Sequence, residues 1–344
     1  MGGRLMRSTG LIDLQVNGYA GVDFNDASLD AAALDHALHA MLRAGVTACL
    51  PTLITAPEPA LAERFSALDR AVANSRLGPV MVPGFHLEGP FLNPAPGFAG
   101  CHPAAAMLPP DPALLQRLAA SLTRPILMLT LAPEQSGGVE LVAWAKRRGM
   151  LVAIGHSAAD HAIVAEAAQA GATLSTHLGN ALPHMLPKFR NPLIAQLAED
   201  RLAASFIADG IHIPPAALKV LLRAKGLERA VLVTDATAAA AAPPGIYRFA
   251  NMSIEHAIDG SVREPGSDVL AGSALCLDQA VRNLAAWGFA TPAEAIRLAS
   301  ANPAALLAPS LATQNIDLPG GSVAWSPALV PQFVWLGDVE YRVG

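Results

Sequence analysis

Short apolar, β-branched runs recur along this chain, and most are followed by a stretch with helical patterning; that alternation limits the fold more than any other feature. The runs are LIDLQVNG (11–18), VTACLPTLIT (46–55), VMVPGFHLEG (80–89), PILMLTLAP (125–133), LVAIGHS (151–157), TLSTHLGN (173–180), ASFIADG (204–210) and AVLVTDA (230–236). Runs this continuously apolar suit parallel strands buried on both faces. The spacing predicts a helix over 26–45, capped by Asp26 or Ser28 and ended at Gly45. Similar helices are expected over 57–74, 160–171 and 214–226, the last opening on Pro214 and Pro215 in first-turn positions. Strands alternating with helices in this way predict an α/β fold, a (β/α)8 TIM-type barrel. An open doubly wound sheet is the alternative, weakened because no GxGxxG follows the first run.

A barrel takes about 250 residues, so the 344 residues here leave room for a small appendage. The barrel is expected over 11–308, with 1–10 and 309–344 supplying a few short strands beside it. An Ala/Pro-rich stretch after Asp235 reads as a loop or lid, and 246–266 as a small hairpin. Apolar residues at 52% and charged residues at 15% make a large core easy to build. A net charge of −5 argues against nucleic acid as a partner. Cys49, Cys101 and Cys276 have no metal spacing and read as free thiols of a reducing compartment. With neither a signal-like N-terminus nor a run approaching the roughly 20 apolar residues of a membrane span, the expectation is a soluble cytoplasmic protein.

Chemistry in a β/α barrel gathers at the C-terminal ends of the strands. Polar residues stand there in this chain: Gln15 and Asn17 on the first run, Glu88 on the third, His156 and His177 on the fifth and sixth, Asp209 and His212 after the seventh, and Asp235 on the eighth. Burying an unpaired charge is costly, so ionisable residues at the ends of buried strands need a reason. Glu88, His156 and His177 match a catalytic zinc set of two imidazoles and one carboxylate with a position left for water. Asp235 would then face the ligands as general base and acid. His86 alternates with Glu88 and shares its face of the strand, but is expected deeper, as a supporting or core histidine.

These residues sit in stretches that resemble a known family. LIDLQVNGYAGVDFND, LPTLIT, GFHLEGPFLNP, GCHP, TLAPE, IGHSAAD, THLGNALP, IADGIHIPP, LVTDAT, LAGSAL and VRNL, in this order between Leu11 and about Pro303, are similar to the N-acetylglucosamine-6-phosphate deacetylases of the amidohydrolase superfamily. The resemblance implies that Glu88, His156 and His177 hold one divalent metal ion, zinc first and iron or another divalent ion as alternatives. Asp235 would be the acid/base and His102 the group that polarises the acetamide carbonyl. Asn180, Ala181, Arg190 and His212 would approach the sugar phosphate, one cation coming from the partner subunit of a homodimer. Gln15-x-Asn17 stands where many amidohydrolases carry His-x-His for a second metal, hence a single ion.

The implied reaction is hydrolysis of the acetamide of N-acetylglucosamine 6-phosphate to glucosamine 6-phosphate and acetate. Members of the family carry a longer segment before the first strand, so the β-sandwich formed by their termini is expected to be reduced here. Gly179 stands where the family often has a bulkier residue. The alternatives are an amidohydrolase acting on another N-acyl amine or an unphosphorylated N-acetyl sugar, and a non-catalytic barrel that binds a sugar phosphate.

Overall fold

The computed structural model describes residues 5–318 and 320–344. Eight parallel strands follow one another around the barrel in chain order: Leu11–Val16, Val46–Ile54, Phe85–Glu88, Ile126–Leu131, Leu151–Ile154, Ala172–Ser175, Ala203–Phe206 and Ala230–Leu232. Nearly every residue of these strands is buried, as continuous apolar runs require. Helices cover the outside, and the open-sheet alternative falls because the eighth strand returns to the first. Val16 and Ala236 form a parallel bridge. The Asp235 amide donates to Gln15 O at 2.9 Å and the Asn17 amide to Ala236 O at 2.7 Å.

Asp13 completes this seam from inside. Its carboxylate accepts from the Thr234 hydroxyl at 2.6 Å and the Thr234 amide at 3.2 Å. The eighth run, expected to stay a strand to residue 236, pairs with the seventh strand only to Leu232 and turns its last residues onto the first strand instead.

Two other boundaries differ from the sequence expectation for local reasons. The first helix is Ala31–Arg43, capped by Asp30 through Ala33 N. Asp26 instead closes its own turn on the amide and hydroxyl of Ser28, at 2.8 and 2.7 Å, so neither residue is free to cap the helix. The third strand starts at Phe85 because Gly78–Met81 forms a helical turn. The Ser75 hydroxyl accepts from Gly78 N at 3.0 Å and starts that turn. Extended pairing resumes only at Phe85, whose amide donates to Pro125 O at 2.9 Å, just after Gly84, where any Cβ would stand 2.5 Å from that oxygen.

Beyond the barrel, Met6–Thr9 pairs antiparallel with Gly321–Trp325, which continues to Pro331–Leu336 and Val339–Arg342 as a four-stranded sheet. The helix Ala301–Thr313 runs past residue 308 before this sheet begins. The expected hairpin is present as Gly245–Phe249 and Met252–His256, with Val262–Arg263 as a third strand. Among the described residues, no helix is long and apolar enough to cross a membrane.

Burial pushes the Asp13 carboxyl from the ordinary 3.8 up to about 7. Keeping it ionised then costs on the order of 4 kcal/mol. The folded chain binds this proton more tightly than the unfolded chain, so Asp13 removes stability as pH rises from about 4 through about 7. Asp13→Asn keeps the shape and can still accept from the Thr234 and Gln15 amides. Its denaturant midpoint should exceed the wild-type value at pH above about 7 and lose that advantage near pH 5. Parallel pH profiles for the two proteins would contradict the assignment.

Candidate active site

Glu88 is the last residue of the third strand, in register with Ile54 and Thr130 on its neighbours. His156 and His177 each lie two residues beyond the ends of the fifth and sixth strands, and Asp235 three beyond the eighth. These last three adopt left-handed backbone, with φ of 52°, 29° and 49°. Each such non-glycine residue costs about 1–3 kcal/mol and persists only where surrounding contacts hold it. Ser205 on the seventh strand supplies one of them, accepting from the His177 amide at 2.8 Å.

Glu88 is the centre of the cluster and is 2% exposed. Its Oε1 lies 3.1 Å from His177 Nε2, 3.4 Å from His156 Nε2 and 3.0 Å from the donating Gln15 Nε2. Oε2 lies 3.5 Å from His102 Nε2. Burial acts to raise the Glu88 carboxyl, but the imidazoles of His102, His156 and His177 pull it well below the usual range. Burial also opposes charge on His177, yet the Glu88 carboxylate raises that group overall.

His156 leaves one buried acceptor unsatisfied. Its Nδ1 donates to the Phe98 carbonyl at 2.8 Å, so in the neutral ring Nε2 carries a lone pair. That lone pair has no hydrogen-bond partner and faces the Glu88 carboxylate, also an acceptor. A cation between them resolves the conflict. One ligand atom each from Glu88, His156 and His177 lies within 4.8 Å of the others, a set able to hold a metal ion.

The sequence set Gln15 and Asn17 apart as amides in place of imidazoles. They link the two carboxylates: Gln15 Nε2 donates to Glu88 and, at 3.2 Å, to Asp235 Oδ1, which also accepts from Asn17 Nδ2 at 2.7 Å. Burial raises the Asp235 carboxyl, partly offset by His177. His86 is buried away from the cluster between the hydroxyls of Thr52 and Thr130, at 3.1 and 2.8 Å. Burial holds it down at about 4.

His102 reaches the cluster from a loop. The Thr55 hydroxyl stands 2.9 Å from its Nδ1, and Nε2 faces the acceptor-only Glu88 carboxylate. The ring therefore carries its hydrogen on Nε2, with Thr55 donating to Nδ1. Burial keeps His102 down at about 4.

Asn180, Ala181 and His212 join Glu88, His102, His156, His177 and Asp235 in lining one cavity of about 530 Å3, with Phe249, Val269 and Leu270 among its apolar lining. Arg190 does not line it. That residue is exposed on the loop after Asn180, beside exposed Phe189.

Sequence reading missed two supports. Thr55 fixes the His102 ring, and Glu134, in the TLAPE stretch, accepts from Asn93 Nδ2, Ser157 Oγ and Ala158 N at 2.9, 2.7 and 2.6 Å. Glu134 thereby anchors the segment that carries His156. Its place in a matched stretch was the available signal, but the partners lie 41 and 23 residues away.

Two imidazoles and a carboxylate at the strand ends of a parallel barrel, with a further carboxylate beside them, define a hydrolase of the metal-centre barrel class. The amidohydrolase family model matches residues 8–309. An N-acetylgalactosamine-6-phosphate deacetylase of Escherichia coli O157:H7 is 36% identical over 298 residues, 86% of this chain and 76% of that relative. The N-acetylglucosamine-6-phosphate deacetylase of Bacillus subtilis is 32% identical over 285 residues, 80% of this chain and 68% of that relative. The solved Mycobacterium smegmatis N-acetyl-D-glucosamine-6-phosphate deacetylase superposes with a TM-score of 0.85 at 28% identity, covering 98% of this chain and 87% of that one. The chain belongs to the amidohydrolase family, in the branch of the N-acetylglucosamine-6-phosphate deacetylases.

Losing a hydrogen bond that supports a metal ligand typically costs roughly 10- to 100-fold in affinity, and losing the ligand itself costs more. Equilibrium dialysis against zinc should show saturable binding to the chelator-stripped wild type and its loss in Glu88→Ala and His177→Ala. Asp235→Asn should keep it. Unchanged binding in the first two would remove these residues from the metal site.

Proposed function

We propose that the protein hydrolyses the acetamide of N-acetylglucosamine 6-phosphate, releasing acetate and glucosamine 6-phosphate. The observation that carries this reading is the Glu88–His156–His177 cluster joined through Gln15 to Asp235 at the base of one cavity. In this reading Glu88, His156 and His177 hold one divalent ion, zinc in the first instance. When bound, such an ion polarises a carbonyl and lowers the pKa of water from 15.7 to roughly 7.

The chain's own residues do the rest. His102 directs its Nε2 hydrogen to the acetamide oxygen and offsets the charge that develops there. Asp235 accepts a proton from the attacking water, whose oxygen adds to the carbonyl carbon. The carbon–nitrogen bond then breaks as the same carboxyl returns the proton to the sugar nitrogen. Asn17 and Gln15 keep that carboxylate aimed, and burial, by raising its pKa, makes it a better base. In this reading Asn180, Ala181 and His212, which line the cavity, take the phosphate.

The reading includes a homodimer working in the cytoplasm. Its support is the exposed segment of Met185, Phe189 and Arg190, whose guanidinium is free of its own cavity and available to a partner's.

The relationship to the Escherichia coli enzyme favours a second reading, in which the substrate is the 4-epimer, N-acetylgalactosamine 6-phosphate. Acetate release measured on both phosphorylated sugars and on N-acetylglucosamine decides among them. We expect kcat/KM to be highest on N-acetylglucosamine 6-phosphate. Equal values with and without the phosphate would overturn the phosphate assignment. Asp235→Asn should lower kcat by about 10²- to 10⁴-fold with zinc still bound. Undiminished turnover there would overturn the acid/base role.

A further inference from the structure

Under the metal ligands the barrel interior is polar, where such interiors are dominated by branched apolar residues. Thr52, His86, Thr130 and Thr176 are all buried there. They form one hydrogen-bonded chain. The Thr52 hydroxyl stands 3.1 Å from His86 Nδ1, His86 Nε2 stands 2.8 Å from the Thr130 hydroxyl, and that hydroxyl stands 2.8 Å from Thr176 Oγ1. The chain ties the second, third and fourth strands to the residue just past the sixth. Gly155, just past the fifth strand, leaves it room: a Cβ there would stand 2.7 Å from Thr130 Cγ2 and 2.9 Å from Thr176 Cβ.

The chain has a direction. Thr52 Oγ1 accepts from the Val16 amide at 3.1 Å and lies 3.1 Å from the Leu50 carbonyl, which can only accept. With the Thr52 hydroxyl donating to Leu50, its remaining lone pair takes a hydrogen from His86 Nδ1. Nε2 is then the acceptor for Thr130, and Thr130 accepts in turn from Thr176. Every hydrogen in the chain is placed in this way. With the direction reversed, the Thr176 hydrogen meets no acceptor among the described residues.

All three metal ligands rise from this chain. Glu88 follows His86 by two residues on the same face of the strand, and Thr130 is its register partner. His177 follows Thr176 and His156 follows Gly155, both in left-handed backbone that needs support from its surroundings. A buried polar network with every member satisfied rigidifies what it joins. We propose that His86 is a positioning residue held as the Nδ1–H tautomer, and that the Thr52–His86–Thr130–Thr176 chain sets the spacing of Glu88, His156 and His177 for their ion. The inference rests on the metal set of the proposed function and adds a determinant of its affinity that lies outside the cavity.

The tautomer is tested first. Nitrogen-15 NMR of the zinc-loaded protein, with His86→Gln to assign the signal, should show the His86 hydrogen on Nδ1 and a bare Nε2. Any other protonation pattern overturns the proposal.

Metal affinity is the second arm. Thr130→Val keeps the shape of the side chain and removes the hydroxyl, whereas Thr130→Ser keeps the hydroxyl. Competition against a chromophoric chelator should show zinc held about tenfold or more weakly by Thr130→Val, the loss typical of a missing support to a ligand. Thr130→Ser should stay near wild type. Thr176→Val should weaken binding as Thr130→Val does, and the double variant no more than either alone, because both break one chain. With cobalt(II) in place of zinc, the visible absorption should change in Thr130→Val and return in Thr130→Ser. Unchanged zinc affinity or an unchanged cobalt spectrum in Thr130→Val, whatever its stability to denaturant, would make the chain merely structural, as would equal losses in Thr130→Val and Thr130→Ser. Those outcomes sink this proposal alone. A wild type that binds no zinc would sink the proposed function together with it.

Discussion

The barrel seam is the constraint on which the rest depends. The first and eighth strands meet through a single bridge and a few hydrogen bonds, among them Asp235 N to Gln15 O and the buried Asp13–Thr234 pair. A ladder of ordinary strand pairing would not have left the eighth run free to turn inward after Leu232. Because it turns, Asp235 lands beside Gln15 and Asn17, and one amide spans two carboxylates that lie 147 residues apart in the chain, 73 and 220 residues from Gln15. The same closure buries Asp13 at the price of ionisation, so barrel stability and site assembly share one set of contacts.

Within that frame the site is held by conflicting acceptors. Glu88 Oε1 and His156 Nε2 face each other at 3.4 Å with no hydrogen between them in the neutral ring. Buried acceptors are ordinarily satisfied. Three left-handed residues, an unpartnered ring nitrogen and a pair of amides replacing imidazoles all converge on the same few ångströms. Such local violations collect at functional sites because the surrounding fold over-determines them. Here the surroundings include Thr55 behind His102, Ser205 behind His177 and Glu134 behind the His156 segment.

Read from the chain alone, the parts and their order were already visible. Continuous apolar runs suit doubly buried strands, and their periodic return with helices between them leaves a closed parallel barrel as the economical arrangement. Glu88, His156, His177 and Asp235 stand out because ionisable residues at the ends of such strands are costly. The helix start at Asp30 was not legible, since Asp26, Ser28 and Asp30 are all competent caps and only the Asp26–Ser28 turn chooses among them. The late start of the third strand was hidden for a similar reason: Val80 and Met81 look like strand residues until Ser75 starts a helical turn before them.

What tertiary structure alone decided is which groups face each other. Sequence determines that Gln15 and Asn17 are amides and that Asp209 precedes His212 by three residues; it does not say that one amide joins Glu88 to Asp235, or that Asp209 stands outside the cavity while His212 lines it. Nor does it say that Arg190 stays exposed and does not line the cavity its own loop borders. Each of these depends on register around the barrel and on closure at the seam. Those are long-range or geometric properties. A residue's type and its place on a strand end can be read locally, but its partner is set by the path of the whole chain.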